Sequence, residues 1–369
     1  MHHEVFPHHK PYVSIIVPAY NEGKIISETL DAICKISYPH YEIVVVNDGS
    51  PDDVLEKVLP FVQSGRVRLL TNAENQGKAL ALNDVIGVLN GEVIVILDAD
   101  AEPEPDILHH LTWHFQHARV GAVTGHPRVK NVKNLLTRIQ VMEFTSIIGL
   151  LRRSQRIWGR IVTVSGIVTA FRREALYEVE GFCPNMYTED IDITWKLERR
   201  HWDVRYEPRA VVWMQVPETL KLFFKQRLRW ARGLLQVLKV NRDIPFVWQY
   251  RRLWPMYYEC CLSILWTLLF GIVSLYEGGK FLYELLILEQ SPSFRLQWLV
   301  LMATFSLFQL LLGGLLEIKH DKDVVRFFPY MILYPSFYWV FMIIVTLTAL
   351  PALVRSTAGK VKWLSIRGH

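Results

Sequence analysis

The stretch Val93-Ile94-Val95-Ile96-Leu97-Asp98-Ala99-Asp100 is an unbroken apolar run that stops on two carboxylates. A run this short, dominated by β-branched residues, predicts a strand buried on both faces rather than a helix. Upstream, residues 12–18, 42–47 and 66–70 have the same character, and helix-length stretches begin between them near Gly23, Asp52 and Gly77. Strand and helix alternate, which predicts parallel strands covered by helices on both faces. Ligands of such sheets bind beyond the carboxyl ends of the strands. The sequence places Ala19-Tyr20-Asn21-Glu22, Asp48-Gly49-Ser50 and Asp98-Ala99-Asp100 there, so carboxylates follow the second and fourth strands.

Beyond Glu104 the pattern predicts a helix through His117, a strand at 121–124, a long amphipathic stretch over 134–155, and shorter strands around 161–171 and 204–213. With 369 residues the chain has room for about two domains, and its 51% hydrophobic content is high for a soluble protein. The apolar excess is concentrated after Leu253, where residues 253–276, 297–316 and 329–354 each exceed the roughly 18 to 20 residues that cross a bilayer as a helix. Net charge is +5, with Lys and Arg gathered in 227–252 and 355–369. That placement suits an anionic lipid surface and not a nucleic-acid partner. Cys34, Cys183, Cys260 and Cys261 show neither metal-type spacing nor a disulfide framework, as expected of a reducing compartment. Residues 1–11 lack the apolar core of a signal peptide and read as a polar tail.

Several residues carry candidate chemistry. Asp98 and Asp100, two apart at a strand end, can grip a divalent cation through hard oxygen ligands, although the tripeptide alone reads more readily as a turn. Asp48 can accept hydrogen bonds from a base or ribose. Lys78 opens a predicted helix, where free N–H groups and its charge favour phosphate. Thr188-Glu189-Asp190 precedes a helical pattern, so it is either a Thr N-cap with an acidic first turn or the seat of a general base at Asp190. In Gln226-Arg227-Leu228-Arg229-Trp230, Trp230 can stack on a sugar, and Gln226 and Arg229 can meet hydroxyls or a diphosphate; the surrounding stretch also suits an interfacial anchor. His110, His114 and His117 share a helical face, which is expected to be solvated. Ser165-Gly166 has no chemistry legible from spacing.

In that order, Asp48, the Asp98 and Asp100 pair, Thr188-Glu189-Asp190 and Gln226-x-x-Arg229-Trp230 ahead of apolar segments resemble the processive family 2 glycosyltransferases, which include cellulose, chitin, hyaluronan and poly-N-acetylglucosamine synthases. Flanks such as Val164-Ser165-Gly166 and Tyr206-Glu207-Pro208-Arg209-Ala210 look most like the bacterial poly-β-1,6-N-acetylglucosamine branch, which builds biofilm matrix. The resemblance implies a Rossmann-like GT-A domain followed by a helical transmembrane region, UDP-N-acetylglucosamine as donor, a growing polysaccharide as acceptor, and magnesium or manganese. It also implies a multi-pass protein of the bacterial cytoplasmic membrane with its catalytic domain in the cytoplasm, a small membrane subunit, and control by cyclic di-GMP. Carried over by residue, uridine and diphosphate lie near Asp48, Lys78 and Asp98, the metal at Asp100 with Asp98, and the base at Asp190. Gln226, Arg229 and Trp230 meet the acceptor or diphosphate, and Ser165, Gly166 and Glu189 border them.

The expected organisation is a tail at 1–11, a catalytic domain at 12–217, interfacial helices at 218–252, about three membrane segments over 253–354, and a basic tail at 355–369. Three full crossings would leave that basic tail outside, against the positive-inside tendency, unless one segment is re-entrant. Glu259, inside the first segment, either reaches the interface or faces a polymer pathway. Two departures from the family pattern stand out. Relatives carry apolar spans ahead of the catalytic domain, whereas the first strand here begins near Tyr12, and relatives commonly have Gln at the position of Arg232. Rival readings are a hyaluronan, chitin or cellulose type of synthase, a lipid-linked single-sugar transferase, and a non-catalytic membrane scaffold.

Overall fold

The computed structural model describes residues 10–287, 296–318 and 321–353, so most of the expected N-terminal tail and the basic C-terminal tail lie outside the described residues. In chain order the elements are β1 (Val13–Ala19), α1 (Ile26–Ile33), β2 (Tyr41–Asp48), α2 (Val54–Gln63), β3 (Val67–Asn72), α3 (Lys78–Ile86), β4 (Val93–Leu97), β5 (Glu102–Pro103), α4 (Ile107–Trp113), β6 (Val120–Val129), α5 (Leu135–Met142), α6 (Gly149–Trp158), β7 (Val168–Arg172), α7 (Arg173–Glu178), α8 (Glu189–Arg199), β8 (Asp203–Met214), α9 (Leu220–Val240), α10 (Trp254–Leu286), α11 (Leu296–Glu317) and α12 (Leu333–Ala349). They group into two compact units, one of residues 1–133 and 151–223, the other of 134–150 and 224–356.

The first unit is built on one sheet in the order β3-β2-β1-β4-β7-β6-β8-β5. Strands β1 to β4 pair in parallel, as the βαβ alternation requires, with Val13 opposite both Tyr41 and Val93. The side-chain period of two splits their apolar residues between faces. Val13, Ile15 and Val17 pack with Ile26 and Leu30 of α1 and Val54 and Val58 of α2, while Ile16, Val44 and Val46 pack with Leu82 and Val85 of α3 and Ile193 and Leu197 of α8. Both faces are therefore dry, which is why these strands read as continuous apolar runs.

The parallel arrangement expected for the first four strands holds there, and β6 and β8 also pair in parallel. β7 runs antiparallel between β4 and β6, with Leu97 opposite Val168. The predicted strand over 161–171 is correspondingly shorter, because its first half is a loop whose Ile161 and Val164 are buried against the sheet. Antiparallel pairing has one consequence for function. It sets the start of β7, residues 165–167, beside the carboxyl end of β4, and the Asp98 N–H donates to the Ile167 carbonyl at 3.0 Å.

Two local expectations fail. Thr188 stands at the N-cap of α8 but makes no capping bond, and its hydroxyl is buried without a hydrogen-bond partner among the described residues. The histidine face is not solvated. His110 and His114 are buried, with Nε2 of His110 3.0 Å from Asp106 Oδ2 and Nε2 of His114 2.9 Å from Glu207 Oε2. Both are buried and paired with a carboxylate, and His117 alone is exposed.

In the second unit, α5 starts on a capping box in which the Asn134 side chain accepts from Thr137 N–H and Thr137 Oγ1 accepts from Asn134 N–H. The helix then widens into a π-helical segment, Glu143–Ile148. Ile139 and Met142 pack with Leu310, Met331 and Tyr334. Of the expected membrane segments, one sits in a continuous helix, Trp248–Leu286, whose 39 residues are long and apolar enough to cross a bilayer. Only 11% of its most apolar window is buried inside the protein, so it is not the core helix of a soluble fold. The expected segment at 329–354 corresponds to a helix pair, Lys322–Pro335 and Phe337–Ala349, bent by 54° as in a broken span or a re-entrant hairpin. The segment at 297–316 falls on α11, of which Ala303–Glu317 is a shorter apolar helix. The described helices thus supply one full span, or two if the bent pair counts as one. Glu259 is exposed near the start of α10. All four cysteines are free thiols.

Candidate active site

Asp98 leaves β4 into a tight turn fixed at three points. Ala101 N–H donates to the Asp98 carbonyl at 2.9 Å, the Thr29 hydroxyl of α1 donates to the Ala99 carbonyl at 2.7 Å, and Ile167 holds the Asp98 N–H. The turn leaves Asp98 partly exposed and Asp100 buried. Across it stands Lys78, the first residue of α3. Its Nζ donates to Asp98 Oδ1 at 2.6 Å and to the Gly166 carbonyl at 2.9 Å, and lies 3.3 Å from Glu189 Oε1. Burial alone would lower the Lys78 pKa. The fields of Asp98, Glu189 and Asp190 outweigh it and hold the ammonium above the ordinary lysine value. Lys78 therefore faces carboxylates, and it ties the end of β4 to the first turn of α8.

Asp190 completes this cluster. A Cβ added at Gly166 would stand 3.2 Å from Asp190 Oδ2 and 3.7 Å from Lys78 Nζ, so Gly166 is where the β7 loop passes the carboxylate most closely. Asp190 Oδ1 accepts from Ile191 N–H at 2.9 Å, and its carbonyl accepts from the Thr194 hydroxyl at 2.6 Å. Lys78, Ser165, Gly166, Glu189 and Asp190 line one small pocket with an apolar floor that includes Phe171 and Phe182. The structure thus brings together Lys78, Asp98, Ser165, Gly166, Glu189 and Asp190 from four separate stretches of chain.

Asp48 is fully buried, and its oxygens accept from Asn72 Nδ2 at 3.0 Å, Gln76 N–H at 3.1 Å and Gly77 N–H at 2.8 Å. It clamps the loop that leads into α3 and so seats Lys78. Gly49 makes the clamp possible. Its φ is +65°, and a Cβ there would lie 2.7 Å from the Glu74 carbonyl carbon.

Gln226, Arg229 and Trp230 belong to the second unit. Their spacing of i, i+3 and i+4 places them on one face of α9, each half-buried. Gln226 Oε1 is buried with no hydrogen-bond partner among the described residues.

Among the described residues no group of three or more His, Cys, Asp and Glu is arranged to hold a metal. The Asp98 and Asp100 pair still fits magnesium or manganese, which bind through one or two carboxylates and take their remaining ligands from phosphate and water. Because Lys78 occupies Asp98, Asp100 is the carboxylate better placed for the ion.

Sequence reasoning missed Arg152 of α6. It is 8% exposed, its Cζ lies 6.0 Å from the centre of the Tyr206 ring, and its Nη1 has no hydrogen-bond partner among the described residues. Burial draws it below the ordinary arginine value, against the opposing fields of Tyr206 and Asp190. Its only sequence signal is a shared helical face with the buried Gln155, and an Arg in an amphipathic stretch otherwise reads as solvated. Thr124 was also missed; its hydroxyl accepts the Ser165 N–H at 2.7 Å and so fixes the loop beside Asp190.

Comparison with known proteins extends this picture. The family described as glycosyltransferase like family 2 matches residues 9–233. The chain is 32% identical over 356 residues to a poly-β-1,6-N-acetyl-D-glucosamine synthase of Staphylococcus epidermidis, covering 96% of this chain and 86% of that protein. It is 34% identical over 362 residues to the synthase of the same name from Staphylococcus aureus strain COL, with the same coverage of each. Among solved structures, a mannosyltransferase from Pyrobaculum calidifontis in complex with GDP-mannose and Mn2+ is similar at a TM-score of 0.65 and 24% identity, covering 92% of this chain and 88% of that one. That likeness bears on the fold, which is the GT-A arrangement expected from the sequence.

Proposed function

The chain belongs to the family 2 glycosyltransferases, and on that premise we propose that it builds a β-linked poly-N-acetylglucosamine, adding residues from UDP-N-acetylglucosamine with inversion at the anomeric carbon. The observation that carries the choice of product is the likeness, along 96% of this chain, to synthases of that polymer.

Asp190 is the general base in this reading. The acceptor hydroxyl oxygen bonds to the anomeric carbon as the bond from that carbon to the UDP oxygen breaks; the hydroxyl proton passes to Asp190, and the bonding pair leaves on UDP. A single displacement inverts the centre. What supports the assignment is the partly exposed carboxylate beside Gly166, where the missing side chain leaves room for an acceptor. Lys78 keeps Asp98, Glu189 and the Gly166 carbonyl in register, and its charge favours ionised Asp190. Asp48 shapes the uridine end of the site by fixing the loop before α3. Asp100, with Asp98, would hold magnesium or manganese, which when bound neutralises the diphosphate leaving group. Gln226, Arg229 and Trp230 meet the acceptor or diphosphate, and the unpartnered Gln226 carbonyl oxygen suits a sugar hydroxyl.

The same resemblance supports a catalytic region at 12–217, an interfacial region at 218–252 and a membrane region at 253–354 in the bacterial cytoplasmic membrane, with the site on the cytoplasmic side. A small membrane subunit and control by cyclic di-GMP, implied by the family resemblance of the sequence, complete the proposal. Membranes containing the protein, supplied with one labelled nucleotide sugar at a time, test the donor. Incorporation into polymer from UDP-N-acetylglucosamine is expected, and incorporation from UDP-glucose instead would overturn the assignment.

A further inference from the structure

Arg227 is the second residue of the Gln226 to Trp230 stretch, and nothing above gives it a role. It is 3% exposed, and its Nη2 donates to Glu143 Oε2 at 2.6 Å. Glu143 is equally buried and is the first residue of the π-helical segment. Tyr338 of α12 hydrogen-bonds to the same carboxylate, and its ring stacks on that of Tyr334 with centroids 4.6 Å apart. The Arg227 Cζ lies 4.2 Å from the centre of the Trp230 indole. The guanidinium is thus pinned by Glu143 while it covers one face of the ring.

Such a pair is poor evidence for stability. Desolvating two charges consumes most of what their attraction returns, and apolar replacements are often as stable. Its distinctive property is geometry: a planar guanidinium held at a fixed point on α9, with an aromatic ring one helical turn on. Lysine carries the same charge without the plane. A π-helical widening, frequent at functional sites, supplies the carboxylate at the required place.

We propose that Arg227, anchored by Glu143, is a positioning residue that sets the plane of the Trp230 indole and so presents the ring's other face to the apolar face of an acceptor sugar. The acceptor half of this inference rests on the reading of Trp230 given above; the orientation of the ring does not. Arg227 touches no substrate in this account and acts through Trp230.

The test uses the full chain in lipid, labelled with 5-fluorotryptophan, with the Trp230 resonance assigned by its loss in Trp230→Phe. In Arg227→Lys that resonance is expected to shift and broaden. The acceptor KM for N-acetylglucosamine oligosaccharides is expected to rise about tenfold, with UDP affinity held within about twofold. The rise in KM disappears when Arg227→Lys is combined with Trp230→Phe, because the two residues act as one. Glu143→Gln gives the same signature in weaker form, and it carries the measurement if Arg227→Lys does not fold. A Trp230 resonance unmoved in both variants would overturn the positioning role, as would a rise in KM that persists undiminished in the Trp230→Phe background. If the resonance moves while Trp230→Ala alone leaves the acceptor KM unchanged, positioning stands and the acceptor reading of Trp230 falls.

Discussion

Lys78→Met removes one charge from the centre of the carboxylate cluster while keeping an unbranched side chain. Nζ lies 2.6 Å from Asp98 and 3.3 Å from Glu189, and Asp190 contributes to the same field. A pair of unit charges at 4 Å is worth about 4 kcal/mol at an effective dielectric of about 20. Removing one partner from a buried pair costs about 3–5 kcal/mol. Without the ammonium the neighbouring carboxylates repel one another, which disfavours their ionised forms. If Asp190 bears about a third of that cost, its acid limb moves up by about one unit, since a unit is about 1.4 kcal/mol. The assay is the rate of N-acetylglucosamine transfer by purified protein across about pH 5 to 9. The expected result is an acid limb about one unit higher, with the rate at pH values on that limb lower by about tenfold, and partial return of the limb in Lys78→Arg. A limb and rate that match the unaltered protein would refute the view that Lys78 keeps the base ionised.

Four further outcomes are expected. Asp190→Asn abolishes transfer while UDP still binds in calorimetry, and sustained polymer synthesis would remove Asp190 as the base. Asp100→Asn loses the dependence of donor binding on magnesium or manganese, so a metal titration identical to the unaltered protein would count against that ligand. Gly166→Ala places a methyl 3.2 Å from Asp190 Oδ2 and lowers kcat by about tenfold or more with UDP affinity unchanged, whereas unaltered kcat would show that the loop yields. Burial, against the fields of Arg160 and the Ile161 N–H, pushes the Glu198 carboxyl up to about 8. A carboxyl protonated in the folded chain and ionised in the unfolded one stabilises fully below about pH 4.3 and loses that contribution as pH rises to about 8, at roughly 1.4 kcal/mol per unit. Glu198→Gln keeps an acceptor for Ile161, so its thermal midpoint should exceed that of the unaltered protein by more at pH 8 than at pH 5; parallel midpoints would refute it.

Strands β1 to β4 were legible because a strand buried on both faces leaves a continuous apolar run, and the same runs placed Asp48 and Asp98 at strand ends, where ligands of such sheets gather. What the pattern hides is long-range pairing. Nothing in residues 161–172 announces that β7 inserts antiparallel beside β4, and buried loop residues such as Ile161 and Val164 imitate strand. The contact of Lys78 with the Gly166 carbonyl follows from that insertion, and its contact with Glu189 from the later placement of α8, so the helix-start position of Lys78 suggested phosphate and did not reveal this cluster of carboxylates. Partners across long sequence separations defeat spacing arguments in the same way. His114 finds Glu207, and Arg227 finds Glu143, at distances of 93 and 84 residues along the chain. The apolar segments were legible by composition, but a hydropathy pattern does not register the 54° bend between Pro335 and Phe337, where a proline interrupts the helix pair.

The product itself is the decisive object. Purified protein reconstituted in lipid, with UDP-N-acetylglucosamine as sole donor and magnesium present, should yield a polymer whose NMR spectrum shows β-1,6-linked N-acetylglucosamine. An α-anomeric product, or no polymer from this donor while another nucleotide sugar is consumed, would contradict the account.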